Sequence, residues 1–263
     1  MNKLWIQEDQ IWLEQENLDV EVVVSDKLDI FDVKKIKIHF FHDTILEIED
    51  HSKEESKLDF KVEVEPFVCA KLHEVRVGKK NKIQYQYFLE ENSQLEVSKF
   101  YDCYQLKELH IIHLMGKEAS IGCQFKTIAQ DQQKVDMVIY HDSKNTSSSI
   151  DNKGITVGQG SLVWNVTSMV YQGVTGCNVS QKSHIINYNH AYSEIHPNLF
   201  IEEEDVSASH AAFIGTFSED LFFYLQARGI PYLEALFLLI HGFFYEEWMK
   251  SEELERVIRK IGR

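Results

Sequence analysis

The sequence predicts an all-β core followed by a short helical segment, and three observations support this division. Short segments in which apolar and polar residues alternate follow one another from residue 19 to residue 209, as expected for strands that bury one face. No helical pattern lies between these segments, which excludes a sheet built from β-α-β units. Beyond residue 216 the apolar residues recur at helical spacing. We therefore predict a β core at residues 1–216 and a helical subdomain at residues 217–263.

The strands are predicted from alternating segments rich in valine, isoleucine, tyrosine and phenylalanine. These segments are DVEVVV (19–24), KIKIHFF (35–41), ILEIE (45–49), LDFKVEV (58–64), KIQYQYF (82–88), QLEVSKF (94–100), KELHIIHLM (107–115), SIGCQFKTIA (120–129), KVDMVIYH (134–141), LVWNVTSMV (162–170) and NVSQKSHII (178–186). Their spacing suits a sandwich, a barrel or a β-helix, and no strict repeat decides between these folds. The lack of Asn-Gly hairpin turns argues mildly against a meander. The polar stretch SKNTSSSIDNKG (143–154) is the best candidate for a loop.

The C-terminal part contains start and stop signals of helices. In TFSEDLFFYLQARG, Ser218 can cap a first helix and Gly229 is placed to end it. Pro231 suits the first turn of a second helix. The apolar stripe of that helix contains Leu233, Leu236, Phe237, Ile240, Phe243 and Phe244. A third helix is predicted in SEELERVIRKIGR (251–263), which begins acidic and ends basic, in agreement with the helix dipole.

The composition is that of a globular protein with an acidic surface. The 263 residues are 44% apolar, and the formal net charge is −15. The phosphates of nucleic acids would repel such a charge, and no apolar run approaches the roughly 20 residues of a membrane span. The first residues, MNKLWIQEDQIWLEQ, lack the apolar core of a signal peptide. We therefore expect a cytoplasmic protein that binds neither nucleic acid nor a membrane.

The cysteines and most histidines form no known metal-binding motif. The cysteines are Cys69, Cys103, Cys123 and Cys177. They contain no CxxC pair and are expected to be buried thiols. In HIIH (110–113) the two histidines of a strand point to opposite faces, so they cannot chelate one ion. A metalloenzyme of β-helix or cupin type remains an alternative, with the ligands His184, His190, His196 and Glu194.

The stretch DVSASHAAFIG (205–215) places His210 among small and β-branched residues. A solvated loop would not need the apolar residues of this stretch, and a plain core strand would not need a histidine. From the residues alone two interpretations stay open. His210 is either a structural histidine of a buried strand or a functional ligand.

The run HPNLFIEEEDVSASHAAFIGTFSEDLFFYLQARGIPYLEALFLLIHGF (196–243) has a distinctive order of residues. It contains a proline (Pro197), an apolar strand (199–201), an acidic pair before a valine (204–206), a small-Ser-His block (208–210), a glycine (Gly215), Phe-Tyr-Leu (223–225), Arg-Gly-Ile (228–230) and a closing Gly-Phe (242–243). Upstream, HDSKNTSSSIDNKGI (141–155) contributes a histidine–serine–lysine–glycine stretch. Together these features resemble the C-terminal signature of the SufB/SufD family, the scaffold components of the Suf iron–sulphur cluster assembly system.

The resemblance implies a right-handed parallel β-helix followed by a small helical subdomain. It also implies a non-catalytic scaffold in a SufBCD-type complex, with a SufB-like chain paired to the β-helix and a SufC-like ATPase on the helical tail. The chain would then be part of a hetero-oligomer, or a homodimer in isolation. The implied ATPase-docking residues are Phe223, Tyr224, Leu225, Arg228, Gly229, Ile230 and Pro231.

The resemblance is closer to SufD than to SufB. SufB-like chains carry a cysteine after the proline and a glutamate after the histidine, where this chain has Ile201 or its neighbours and Ala211. In SufD-type chains the histidine matching His210 helps to form the assembly site where two β-helices meet. His210 is therefore the implied ligand of a transient iron–sulphur cluster shared with the partner, and without a matching thiol this chain would supply half a site. A structural paralogue with no cluster site is the remaining alternative.

Overall fold

The computed structural model describes residues 2–7, 10–25, 33–52, 55–188 and 191–245. The protein is mostly β and forms a parallel β-solenoid of about seven turns, with two helices at its C-terminal side. The predicted β core with a helical tail is therefore confirmed, and parallel pairing excludes the sandwich and the meander. His190 and the third predicted helix (251–263) lie outside the described residues.

Fifteen strands precede the helices within the described ranges. They are β1 (Asn2–Gln7), β2 (Gln10–Glu14), β3 (Val20–Val24), β4 (Lys34–Phe40), β5 (Thr44–Asp50), β6 (Glu55–Val64), β7 (Cys69–Leu89), β8 (Gln94–Leu114), β9 (Ser120–Ala129), β10 (Gln132–His141), β11 (Ser147–Val157), β12 (Ser161–Val170), β13 (Cys177–Tyr188), β14 (Tyr192–Ile201) and β15 (Val206–Gly215). Each alternating segment of the sequence overlaps one of these strands. The pattern missed β1, β2, the first half of β7, β11, β14 and β15.

Each turn of the solenoid contributes a strand to each of two sheet faces. The first face contains β5, the first parts of β7 (69–78) and β8 (94–103), β9, β11, β13 and β15. The second face contains β4, β6, the second parts of β7 (80–89) and β8 (105–114), β10, β12 and β14. Strands β7 and β8 each have 21 residues because they continue from the first face to the second.

The parallel ladders place residues of successive turns in straight rows. One row on the interior side of the first face runs through Leu72, Val97, Cys123, Ile150, Gln181 and His210. Side chains alternate between interior and exterior because successive residues of a strand point to opposite faces. Most interior rows are apolar, with fully buried aromatic rings such as Phe60, Tyr87 and Trp164.

The interior also buries a group of paired charges in the first four turns. Lys99 Nζ lies 2.9 Å from Glu74 Oε2 and 2.8 Å from Glu108 Oε1, and Arg76 pairs with Glu74 and Asp50. Burial alone would raise the pKa of the Glu74 carboxyl, but the charges of Lys99 and Arg76 outweigh it and lower that pKa to about 2. These charges therefore stay ionised in the interior, where each depends on its partner.

The two ends of the solenoid differ. At the N-terminal end, β1 pairs with β2 and β3 with β4 in antiparallel fashion. At the C-terminal end, among the described strands, β14 pairs only with β12 and β15 only with β13. The last turn is therefore open to further pairing.

Two helices follow the solenoid, α1 (Glu219–Ala227) and α2 (Tyr232–Phe244). Ser218 is the N-cap residue of α1, as predicted, but its side chain makes no capping hydrogen bond. Gly229, at a φ of 85°, supplies the left-handed residue that ends α1. Helix α2 packs on the outer side of the first face, where Leu236, Ile240 and Phe244 form a buried cluster with Phe100, Ile128, Ile155 and Ile186. Neither helix in the described ranges is long and apolar enough to span a bilayer.

The stretch 143–154, predicted to be a loop, contains most of β11, so that prediction was wrong. Strand β11 pairs in parallel with β9 on one side and β13 on the other. Its inward residues Ser148, Ile150 and Asn152 are buried. Because most of these inward residues are small or polar, the strand shows no alternation of hydropathy.

Candidate functional site

The last turn leaves two strand edges free of other described strands. Strands β14 and β15 each have one neighbour, and an edge strand presents unpaired backbone N–H and C=O groups. Helix α2 packs on the outer side of the first face, and every residue of β15 is exposed or partly exposed. The open end therefore offers hydrogen-bonding groups to another chain.

The interior-facing side chains of the last turn lie at this open end. Apart from Ser193, which is buried, they are Ile195, Pro197, Leu199 and Ile201 on β14, and Val206, Ala208, His210, Ala212 and Ile214 on β15. Their row partners one turn earlier are buried, whereas all of these side chains are at least partly exposed. His210 is the only ionisable residue in this otherwise apolar set.

His210 is exposed, and no hydrogen bond or ion pair joins its ring to another described residue. The interpretation of His210 as a buried structural histidine is therefore wrong. Its interior-facing neighbours on the strand, Ala208 and Ala212, are small and leave room beside the ring. In the described part of the chain, no three His, Cys, Asp or Glu side chains are placed to hold one metal ion. Among the interior-facing side chains of the last turn, His210 is the only one of these four residue types.

Directly beneath His210 in its row lies Gln181. Its Nε2 donates to Ser168 Oγ at 2.8 Å and to the backbone oxygen of Asn198 at 3.2 Å. Its Oε1 is buried and has no hydrogen-bond partner among the described residues. This amide ties β13 to β12 and β14 under the open end. The sequence analysis missed Gln181 because the row that contains Gln181 and His210 is visible only once the strand register is known.

The described residues of the alternative metalloenzyme site do not all come together. His196 Nε2 lies 2.6 Å from Glu194 Oε2 on the outer side of β14. His184 lies on the other sheet face, where its ring packs edge-on against Phe213 and Phe243 at centroid distances of 4.4 and 4.9 Å. Burial in this aromatic contact lowers the pKa of His184. His190 falls outside the described ranges.

The residues implied for ATPase docking form an exposed surface around α1. No residue of α1 is buried, and Phe223 is 75% exposed. The Arg228 guanidinium lies 4.2 Å above the centre of the Tyr224 ring. Leu225 is half-buried, and its carbonyl accepts a hydrogen bond from the Ile230 N–H across the turn. Pro231 is the N-cap residue of α2.

Three of the four cysteines are buried, as predicted, but Cys69 is exposed at the start of β7. Burial raises the pKa of the Cys103 thiol well above its usual value and that of Cys123 to about 12. These two thiols are therefore protonated at neutral pH and buried in the interior.

A comparison with models of protein families shows to which family the chain belongs. A family model described as "SUF system FeS cluster assembly, SufBD core domain" matches residues 35–243, from β4 into α2. The chain belongs to the SufBD core family. The resemblance seen in the last third of the sequence is therefore confirmed, and the family works in iron–sulphur cluster assembly.

The relatives of this SufBD chain support the SufD-like assignment. It is 33% identical over 106 residues to the iron-sulfur cluster assembly protein SufD of Bacillus subtilis (strain 168), covering 40% of this chain and 24% of that protein. It is 31% identical over 133 residues to a SufBD family protein of Mycobacterium tuberculosis (strain H37Rv), covering 50% and 15%. A second SufBD family protein, of Mycobacterium leprae, is 30% identical over 142 residues, which cover 50% of this chain and 36% of the relative. The chain thus spans well under half the length of these curated relatives.

Proposed function

We propose that this SufBD chain is a SufD-like, non-catalytic scaffold for iron–sulphur cluster assembly in the cytoplasm. Its solenoid pairs with a SufB-like chain, and the surface around α1 docks a SufC-like ATPase. The observation that carries the proposal is the position of His210, exposed and unpaired in an interior row at the open end of the solenoid.

The open end supports pairing with another chain. The free edges of β14 and β15 can extend their sheets across an interface, as in other cases of strand addition. The partly exposed Leu199, Ile201 and Ile214 gain from being covered. A partner with its own solenoid end satisfies both requirements. Without that partner, two copies of this chain associate through the same end.

His210 supplies one ligand to the cluster, which is the cargo of the complex. Neutral imidazole is a suitable ligand for iron. Within the described ranges, no three His, Cys, Asp or Glu side chains are placed to hold one metal ion, so the partner supplies the remaining ligands, including a thiolate. The buried, protonated Cys103 and Cys123 support this division of the site.

Cluster reconstitution on the complex of the full chain with a SufB-like partner tests the role of His210. His210→Ala should lower the iron bound per complex by about 10-fold or more, because a metal ligand contact is lost. His210→Cys should restore part of it. His196→Ala is the matched control, since it removes an exposed histidine from the outer side of the same turn. Equal iron loading in wild type and His210→Ala would refute the ligand role.

Pairing is tested by two arginine substitutions on β15. Ala212→Arg adds a charge to the interior side of the open end, whereas Ser209→Arg adds the same charge to the outer side of the strand. The first should abolish co-purification with the SufB-like chain, and the second should preserve it. The same outcome for both variants would contradict pairing through this end.

ATPase docking is tested on the surface around α1. Phe223→Ser removes its most exposed aromatic ring and should weaken capture of a SufC-like ATPase. Leu238→Ser removes an exposed apolar residue of α2 and should leave capture unchanged. Deletion of residues 217–263 is less informative, because it would uncover the apolar cluster beneath α2.

Two alternatives predict different results. A β-helix or cupin-like metalloenzyme would bind metal stoichiometrically as an isolated chain. A structural paralogue with no cluster site would pair and dock normally, but the His210→Ala complex would load as much iron as wild type.

A further inference from the structure

The outer side of the second sheet face carries four lysines in register. Lys57 lies opposite Lys82, Lys82 opposite Lys107, and Lys107 opposite Lys134. Adjacent strands lie about 4.8 Å apart, so neighbouring like charges in this lysine row repel one another. The whole chain has 42 acidic and 27 basic residues. An unbroken row of cations therefore contrasts with the acidic character of the protein.

Part of the lysine row is not neutralised by neighbouring carboxylates. Lys134 pairs with Asp136 at 3.3 Å, and Asp136 also accepts a hydrogen bond from Asn165. No ion pair joins Lys82 or Lys107 to any residue in the described part of the chain. Two adjacent ammonium groups are therefore available to an anion from solution.

A groove of about 390 Å³ runs beside the lysine row. Its outward-facing charged side chains are Lys35, Lys57, Lys82, Lys107, Asp59 and Asp136. Glu108 also borders the groove, but its carboxylate faces the interior and pairs with Lys99. Val33 and Leu109 add apolar surface. The volume lies within the range of about 300–1,000 Å³ that is usual for small-molecule sites.

We propose that this groove binds the diphosphate or triphosphate group of a small phosphorylated molecule. Lysine ammonium groups bind phosphate oxygens as compact charges, and a multivalent anion between Lys82 and Lys107 relieves their mutual repulsion. The row continues beyond Lys134 with Val163 and Glu194. It is therefore too short for a long polyanion, which would meet the Glu194 carboxylate.

Calorimetric titration of the full chain with inorganic anions tests this site. Tripolyphosphate should bind with 1:1 stoichiometry, more tightly than pyrophosphate, and pyrophosphate more tightly than orthophosphate. The double variant Lys82→Gln/Lys107→Gln should weaken tripolyphosphate binding by about 10-fold or more, because two charge-assisted contacts are lost. Lys144→Gln/Lys182→Gln removes two exposed lysines elsewhere and should leave the affinity unchanged.

Three results would overturn the proposal: no binding of tripolyphosphate at millimolar concentration, unchanged affinity in Lys82→Gln/Lys107→Gln, or equal weakening in both double variants. Lys82→Arg/Lys107→Arg keeps the charges and should retain binding, which keeps the test decisive if the glutamine variant unfolds. Tighter binding of a single-stranded oligonucleotide than of tripolyphosphate, at the same ionic strength, would assign the lysine row to nucleic acid instead.

Discussion

Gln181 lies directly beneath His210 in one interior row, yet only the upper residue is open to solvent. Gln181 is 2% exposed and its amide nitrogen bonds to β12 and β14. Among the described residues, no further turn lies above His210. Substitution of Gln181 therefore tests the stability of the open end, whereas substitution of His210 tests its proposed function.

Gln181→Leu should lower the free energy of unfolding by about 1–3 kcal/mol, because Ser168 Oγ and the Asn198 carbonyl lose a buried donor. His210→Ala should change it by less than about 0.5 kcal/mol, since it removes an exposed, unpaired ring. Urea unfolding of both variants measures the difference. A larger loss for His210→Ala than for Gln181→Leu would show that His210 supports the fold.

Lys99→Met should destabilise the chain by about 3–5 kcal/mol, because Glu74 and Glu108 would remain buried without their shared cation. Lys71→Met is the matched control. Lys71 pairs with Glu96 at 2.7 Å on the exposed side of the same strands, where a pair contributes about 0–1 kcal/mol. Denaturant unfolding compares the two, and equal losses would contradict the importance of the interior charges.

His141 should make stability depend on pH. Burial lowers the pKa of this histidine to about 4, although nearby Asp142 acts in the opposite direction. Above the unfolded pKa of about 6.5, both states are neutral. As the pH falls from about 6.5 to 4, the unfolded chain takes up a proton that the folded chain rejects, so the free energy of unfolding decreases by up to about 3 kcal/mol.

The contribution of His141 is measured by urea unfolding between pH 7 and pH 4. His141→Gln should lower stability at pH 7, because contacts with Thr146 and Ser148 change, but its stability should then fall less steeply with acid. His42→Gln, at an exposed position, should follow the wild-type slope. An identical slope for His141→Gln and wild type would show that other groups govern the pH dependence.

Sequence patterning predicted the β core because strands such as β10 have one buried apolar face and one polar face, which the alternation KVDMVIYH reports directly. It could not predict which strands are neighbours. Rows such as Lys57–Lys82–Lys107 depend on the length of each turn, and the sequence has no strict repeat to reveal it. The family resemblance pointed to His210. The exposure of His210 and the position of the Gln181 amide beneath it became visible only when the strand register was known.

Strand β11 shows a second limit of the pattern. Gly154 faces the interior, where the side chains of Leu162 and Trp164 occupy the space that a Cβ would need. The inward-facing residues of β11 are small because the large Trp164 ring of β12, on the opposite face, fills the space beside them. A serine- and glycine-rich stretch therefore forms a central strand although it looks like a loop.

Gly154→Ala should cost about 1–3 kcal/mol through overpacking against Leu162 and Trp164. Gly122→Ala on the neighbouring strand β9 is the matched control, because no other atom lies within 4 Å of the new Cβ. That change should be neutral or stabilising by up to about 1 kcal/mol. Thermal and urea unfolding test the pair, and equal effects would contradict the packing of β11 against Trp164.

The attachment of α2 to the solenoid should depend on Leu236 and not on Leu233. Leu236 is 1% exposed against the outer side of the first face, and Leu233, on the same helix, is 58% exposed. Leu236→Ala should cost about 2–5 kcal/mol and increase binding of a hydrophobic dye, because it opens the cluster around Ile128, Ile155 and Ile186. Leu233→Ala should change stability by less than about 0.5 kcal/mol. Equal effects of the two substitutions would show that the attachment of α2 does not depend on Leu236.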